Sequence, residues 1–149
     1  MATFDSLEEL AAALSAADIE CFVRGDFIEV PSDEAELTAT LQLTGGWLVF
    51  KAYLGEWRPH FKDAGYCTLL RLHDRLIGFR FSLADNDLWA IQDFPTEALG
   101  DRFAVYLRSA FWVLASIRET LMAHLSSDQP MSEDDIDAMF ERLEAARIN

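Results

Sequence analysis

From Glu36 to Leu43 the chain alternates without a break, with Glu36, Thr38, Thr40 and Gln42 at one parity and Leu37, Ala39, Leu41 and Leu43 at the other. Side chains of a strand point to opposite faces in turn, so this run makes one apolar face and one wet face. Thr44-Gly45-Gly46 follows as a turn with freedom for positive φ, and Trp47 to Leu54 returns as the next strand. A sheet with one wet face is antiparallel. The rest of the chain must cover the other face.

Ser6-Leu7-Glu8-Glu9 fits a capping box, and Leu7, Leu10, Ala11 and Leu14 then predict a short helix. Ile19 to Val23 and Phe27 to Val30 are β-rich and meet at Arg24-Gly25-Asp26, which predicts a tight hairpin. Pro31-Ser32-Asp33 breaks its second strand. Gly55 to Gly65 reads as a loop. In Tyr66 to Leu76, the residues Leu69, Leu70, Leu72, His73 and Leu76 suit a helix, while Thr68 to Leu72 also fits a strand closing at His73-Asp74. The helix is favoured. Ile77 to Leu83 and Leu88 to Asp93 pair through Ala84-Asp85-Asn86-Asp87, and Pro95 ends the sheet. The fold class is therefore α+β, with an N-terminal helix, a middle helix and a long C-terminal helix on an antiparallel sheet.

Residues 97–125 predict one long helix in which Phe103, Leu107, Ala110, Leu114, Ile117 and Leu121 form an a/d seam. Val105, Tyr106, Phe111, Trp112 and Val113 are apolar on other faces, so the helix must be buried on two sides. A second copy of the chain is the economical cover, with Phe103, Leu107, Ala110, Phe111, Trp112, Leu114, Ile117 and Leu121 at the dimer interface. Cover by the final helix is the alternative. Ser126 to Met131 is a linker, and Ser132 caps a last helix over 132–147 with the apolar stripe Ile136, Met139, Phe140 and Leu143. That helix packs at home, swaps to a partner or lies over a groove. The chain divides into one domain, 1–125, and an acidic helix appended over 126–149.

Twelve Lys and Arg oppose 26 Asp and Glu, for a net charge of −14. Residues 1–45 carry −9, residues 46–125 are neutral and residues 126–149 carry −5. Nucleic acid and anionic lipid are bound with Lys and Arg, so neither is expected as a direct partner. With 51% apolar residues the chain is globular, and no apolar run approaches the ~18 residues of a membrane span. Met1-Ala2-Thr3-Phe4-Asp5 has no basic start or apolar core of a signal peptide, and Cys21 and Cys67 read as reduced thiols. A cytoplasmic location is expected.

Chemical motifs are weak. His60, His73 and His124 are scattered, no glycine pattern cradles phosphate, and Asp85-Asn86-Asp87 lacks the continuation of a calcium loop. No catalytic residue, cofactor or metal is expected, although Cys67 and His73 are open to reading as a nucleophile and its base. Arg71 and Arg75, four apart, share a helix face near Trp57, Arg58 and Lys62. They would pair with acids of the same chain, with a second copy or with phosphate.

The segment Leu69-Leu70-Arg71-Leu72-His73-Asp74-Arg75-Leu76, then Gly78-Phe79-Arg80-Phe81-Ser82-Leu83, then Leu88-Trp89-Ala90-Ile91-Gln92-Asp93-Phe94-Pro95, resembles the YbjN family. That family shares its fold with type III secretion chaperones. It carries Asn-rich residues where this chain has Leu72-His73-Asp74. The resemblance runs from about Ser6 to Leu125 and implies a small, acidic, dimeric binding protein without catalytic residues. Fold alone does not assign function. The leading expectation is a homodimeric adaptor or chaperone-like protein that holds a basic client along a sheet edge or in an apolar groove. The client would meet Asp33, Glu34 and Glu36, the tryptophans Trp47 and Trp89, and Ile136, Met139 and Phe140. The alternatives are an immunity protein or antitoxin that blocks a basic partner, and a small enzyme built on Cys67, His73 or His60.

Overall fold

The computed structural model describes residues 5–33, 35–58, 60–76, 78–99 and 102–148. The alternation at 36–43 becomes β3 (Leu37–Thr44), joined through Gly45-Gly46 to β4 (Trp47–Glu56). Both glycines have positive φ, 54° and 83°, which a two-residue hairpin turn requires. Before them, β1 (Phe22–Arg24) and β2 (Phe27–Ser32) form the first hairpin; after them, β5 (Phe79–Ala84) and β6 (Asp87–Pro95) form the third. The sheet order is β1-β2-β3-β4-β6-β5, antiparallel throughout. β6 is inserted between β4 and β5, so the connection after β4 must travel to the far edge, and α2 (Lys62–His73) makes that journey.

Register lines up one apolar face across the sheet. Val30, Ala39, Ala52, Ala90 and Phe81 form one row, and Ile28, Leu41, Phe50, Gln92 and Phe79 the next. Three adjacent alanines leave room for the large side chains of α4 (Phe103–Leu125), whose Phe111 meets Phe50 edge-on at 5.4 Å. Leu10 and Leu14 of α1 (Leu7–Ala16) enter the same core, as do Met131 and two residues of α5 (Glu133–Ile148), Ile136 and Met139.

Several expectations are corrected. The a/d seam of the long helix does not face a second copy: Leu107, Ala110, Leu114, Ile117 and Leu121 lie inside this chain's own core at 0–3% exposure, with Phe103 and Phe111 at 7%. The sheet covers the helix on one side and α2 and α5 cover it elsewhere, while Val105 and Tyr106 stay exposed. The helix expected over 97–125 is two pieces, a single turn α3 (Thr96–Leu99) and α4. Thr96 closes the first piece onto the β3–β4 turn, where its N–H and hydroxyl both donate to the Gly46 carbonyl, at 2.9 and 3.0 Å. The helix favoured at 66–76 is α2, but it starts earlier, within the expected loop. The capping box is displaced by one residue: Ser6 Oγ accepts from Glu9 N–H, while the Glu9 carboxylate takes the N–H of Asp5 instead of Ser6.

Arg71 and Arg75 find their partners within the chain. Arg71 donates to the Met131 carbonyl at 2.7 Å and lies 3.8 Å from Glu133, and Arg75 pairs with Asp137 while covering the Phe140 ring. Thr68, fully buried, accepts the Met131 N–H at 2.8 Å and donates to the Ala64 carbonyl. α5 is therefore docked at home on α2 and α4.

Candidate functional site

α1 ends in a tight turn ahead of β1. Ile19 N–H bonds the Leu14 carbonyl at 2.9 Å, and Asp18 sits in the left-handed region at φ 59°, the geometry of a Schellman cap. Aspartate tolerates that conformation better than most residues. The cap leaves the Asp18 and Glu20 carboxylates exposed and turns Ile19 inward onto the core. Only from Phe22 does the chain join β2, and it pairs for just three residues. A gap remains where β1 and β2 part.

That gap is a groove of about 610 Å³. One wall is Asp18, Ile19 and Glu20; the other is Val30 to Asp33 with Ala35; the floor is Leu107, Arg108, Phe111, Trp112 and Ala115 of α4. Leu107 and Phe111 are nearly covered, while Ile19, Pro31, Trp112 and Ala115 are half-buried and present apolar surface. Asp18, Glu20 and Asp33 stand exposed around it. Arg108 is the cation among these lining residues, and its guanidinium is committed to the Ala17 carbonyl. The result is an apolar trough with a carboxylate rim.

The backbone of the groove wall is a poor template for a strand. Phe22 faces Glu29 and Arg24 faces Phe27 across the Gly25-Asp26 turn. The groups that point outward from β2 on this side therefore belong to Phe27, Glu29 and, beyond the end of β1, Pro31. Proline has no N–H, so the free edge lacks its donor at that position. At the opposite edge of the sheet, Phe81 N–H donates to His73 Nε2 at 3.2 Å, and Phe79 N–H to the Leu76 carbonyl. The β5 edge and the uncovered stretch of β2 are both blunted against strand addition, and β1, the other edge strand, is only three residues long.

The residues singled out in the sequence fall in different places. Asp33 is on the groove rim, and Leu107, Phe111 and Trp112, expected at a dimer interface, line the groove. Glu34 lies outside the described residues. Glu36 is exposed at φ 53°, and its carbonyl accepts from Arg118. Trp47 and Trp89 are on the wet face of the sheet: Trp47 is 48% exposed, and Trp89 packs on Tyr53 at 5.1 Å beneath the Lys51 ammonium. A hydrogen bond from the Tyr53 hydroxyl to Asp87 raises that phenol above its usual range. Ile136 and Met139 are at 0% and 3% exposure, so neither is free for a client, and Phe140 is half-buried under Arg75. Sequence reasoning missed Asp18, Glu20 and Ala115, whose one available signal is an Asp directly after a helix end.

The catalytic alternative gains no geometry. Cys67 and His73 are six residues apart on α2, about 240° around its axis. The His73 ring stacks on Phe81 at 5.3 Å with Nε2 already accepting a hydrogen bond. Burial pushes the Cys21 thiol up, which makes it less reactive. His124 Nδ1 contacts the Thr120 carbonyl and Nε2 lies 3.8 Å from Asp135, and His60 is exposed beside the start of α2. Among the described residues no three His, Cys, Asp or Glu side chains are gathered to hold a metal, and no helix is long and apolar enough to cross a membrane.

No family model and no curated protein matches the chain. Among solved structures it is similar to the crystal structure of YbjN, a proposed transcription regulator from E. coli, with a TM-score of 0.68 and 15% identity over 83% of this chain and 96% of that one. The chain has the YbjN-like α+β fold.

Proposed function

We propose that this protein is a non-catalytic, cytoplasmic adaptor that holds a segment of a basic client protein. The carboxylate-rimmed apolar groove between α1, β2 and α4 supports the reading: apolar walls supply affinity, and the rim selects positive charge and speeds encounter. A net charge of −14 favours a basic protein over nucleic acid as the direct partner. If the chain has a regulatory role like that suggested for YbjN, it acts by capturing a regulator and not by touching DNA. The proposal includes a homodimer, and the surface that α4 leaves for a second copy is Val105 and Tyr106, 55% and 40% exposed.

The test is a pull-down from native extract with the tagged chain and with its Trp112→Ala/Ala115→Arg variant, eluted in salt steps. A basic protein that leaves the parent chain at moderate salt and is missing from the variant is the expected result. A partner held equally by both, or none held by either, would overturn the reading.

A further inference from the structure

We infer that the groove takes a short amphipathic helix with basic flanks, bound through side chains, and not an extended strand added to the sheet. This rests on the reading of the groove as the client site. Two independent features carry it. The free edge of β2 lacks a donor at Pro31, so an added strand gains little main-chain hydrogen bonding there. The open part of the floor, from Arg108 to Ala115 along α4, runs about 10 Å, close to the rise of two turns of a partner helix. Such a helix presents apolar residues at i, i+3, i+4 and i+7 along one stripe, which would rest on the half-buried Ile19, Pro31, Trp112 and Ala115, while Leu107 and Phe111 beneath them are already covered. Lys or Arg beside the stripe would lie opposite Asp18, Glu20 and Asp33, on both sides of the trough. An acidic helix would meet those carboxylates with repulsion, since the three of them outnumber the lining cation, Arg108, which donates to the Ala17 carbonyl.

The full chain is titrated with two synthetic capped peptides of about 14 residues, a length at which isolated helices are marginal. One carries Leu at i, i+3, i+4 and i+7 with Lys elsewhere; the second has Pro in place of Lys at two central positions. The helical peptide is expected to bind roughly tenfold tighter or more than the proline peptide, and to gain helix signal in circular dichroism on binding. Ala115→Arg, at a half-buried helical position that accepts Arg without loss of propensity, is expected to abolish binding. Neutralising the rim with Asp18→Asn, Glu20→Gln and Asp33→Asn keeps the left-handed residue at 18 tolerable and is expected to weaken binding about tenfold. The control neutralises three exposed acids of α5, with Asp134→Asn, Glu141→Gln and Glu144→Gln, and is expected to leave affinity within about twofold. Equal binding of the two peptides overturns the helical reading. An equal loss in the α5 control, or none with Ala115→Arg, shows capture by the overall field and overturns the groove as the seat. If neither peptide binds while the chain still retains a client dependent on Trp112 and Ala115, the helical inference falls and the adaptor reading stands.

Discussion

Gly65 lies inside α2, where glycine costs about 1 kcal/mol relative to alanine. Its position is dictated by Trp57: a Cβ at residue 65 would lie 2.2 Å from Trp57 Cζ2, well inside contact distance. The indole cannot retreat freely, because Nε1 donates to the Leu125 carbonyl at 3.0 Å, the last residue of α4, and the ring meets Tyr66 edge-on. Gly65→Ala therefore gains helix propensity but must displace a packed ring and strain a buried hydrogen bond. Those two losses, each about 1–3 kcal/mol, exceed the gain. The expected outcome is a net destabilisation of about 1–5 kcal/mol in urea unfolding with an unchanged slope. A stability equal to or above the parent would mean that Trp57 has room to move.

At the scale of elements, α5 is held by two kinds of contact with very different weight. Ile136 is fully buried, so Ile136→Ala is expected to cost about 2–4 kcal/mol. Arg75→Ala breaks an exposed ion pair with Asp137 and uncovers Phe140, and is expected to cost under about 1 kcal/mol. Paired thermal melts check the order, and a larger loss from Arg75→Ala would make the ion pair the anchor. Leu114, at 0% exposure on α4, is likewise core, so Leu114→Asp is expected to unfold the chain, whereas Val105→Asp, at 55% exposure on the surface proposed for a second copy, leaves the chain folded and lowers its mass in solution to that of one copy. The contrast shows what is legible in a sequence. Periodicity told which residues of α4 share a face, because 3.6 residues per turn is local geometry; it could not tell whether a second copy or α5 covers that face. The β3–β4 hairpin was legible because one of its faces is wet and its turn needs two glycines. The start of α2 was not, since Phe61 precedes it without any side-chain cap. The groove was least legible of all: its lining comes from residues 18–20, from 30–33 and Ala35, and from α4 between Leu107 and Ala115, which only the tertiary fold brings together.

Across the whole molecule, charge sets the terms for both stability and binding. The two acidic ends, −9 over residues 1–45 and −5 over residues 126–149, flank a neutral middle. Five Arg–carboxylate pairs are present among the described residues, each with at least one exposed partner, so each contributes little and salt removes little by screening it. The unpaired acidic excess repels itself over distances near the Debye length, about 10 Å at 0.1 M salt, and salt relieves that repulsion. The second effect should win. The melting temperature is expected to rise on going from low salt to a few tenths molar NaCl, by a few degrees for each ~1 kcal/mol of repulsion removed. Over the same range, affinity for a basic client should fall, because the attraction to Asp18, Glu20 and Asp33 is screened by the same ions. Stability and binding thus move in opposite directions with salt. A melting temperature that falls with salt would mean that the ion pairs outweigh the excess, and would remove self-repulsion as a description of this chain.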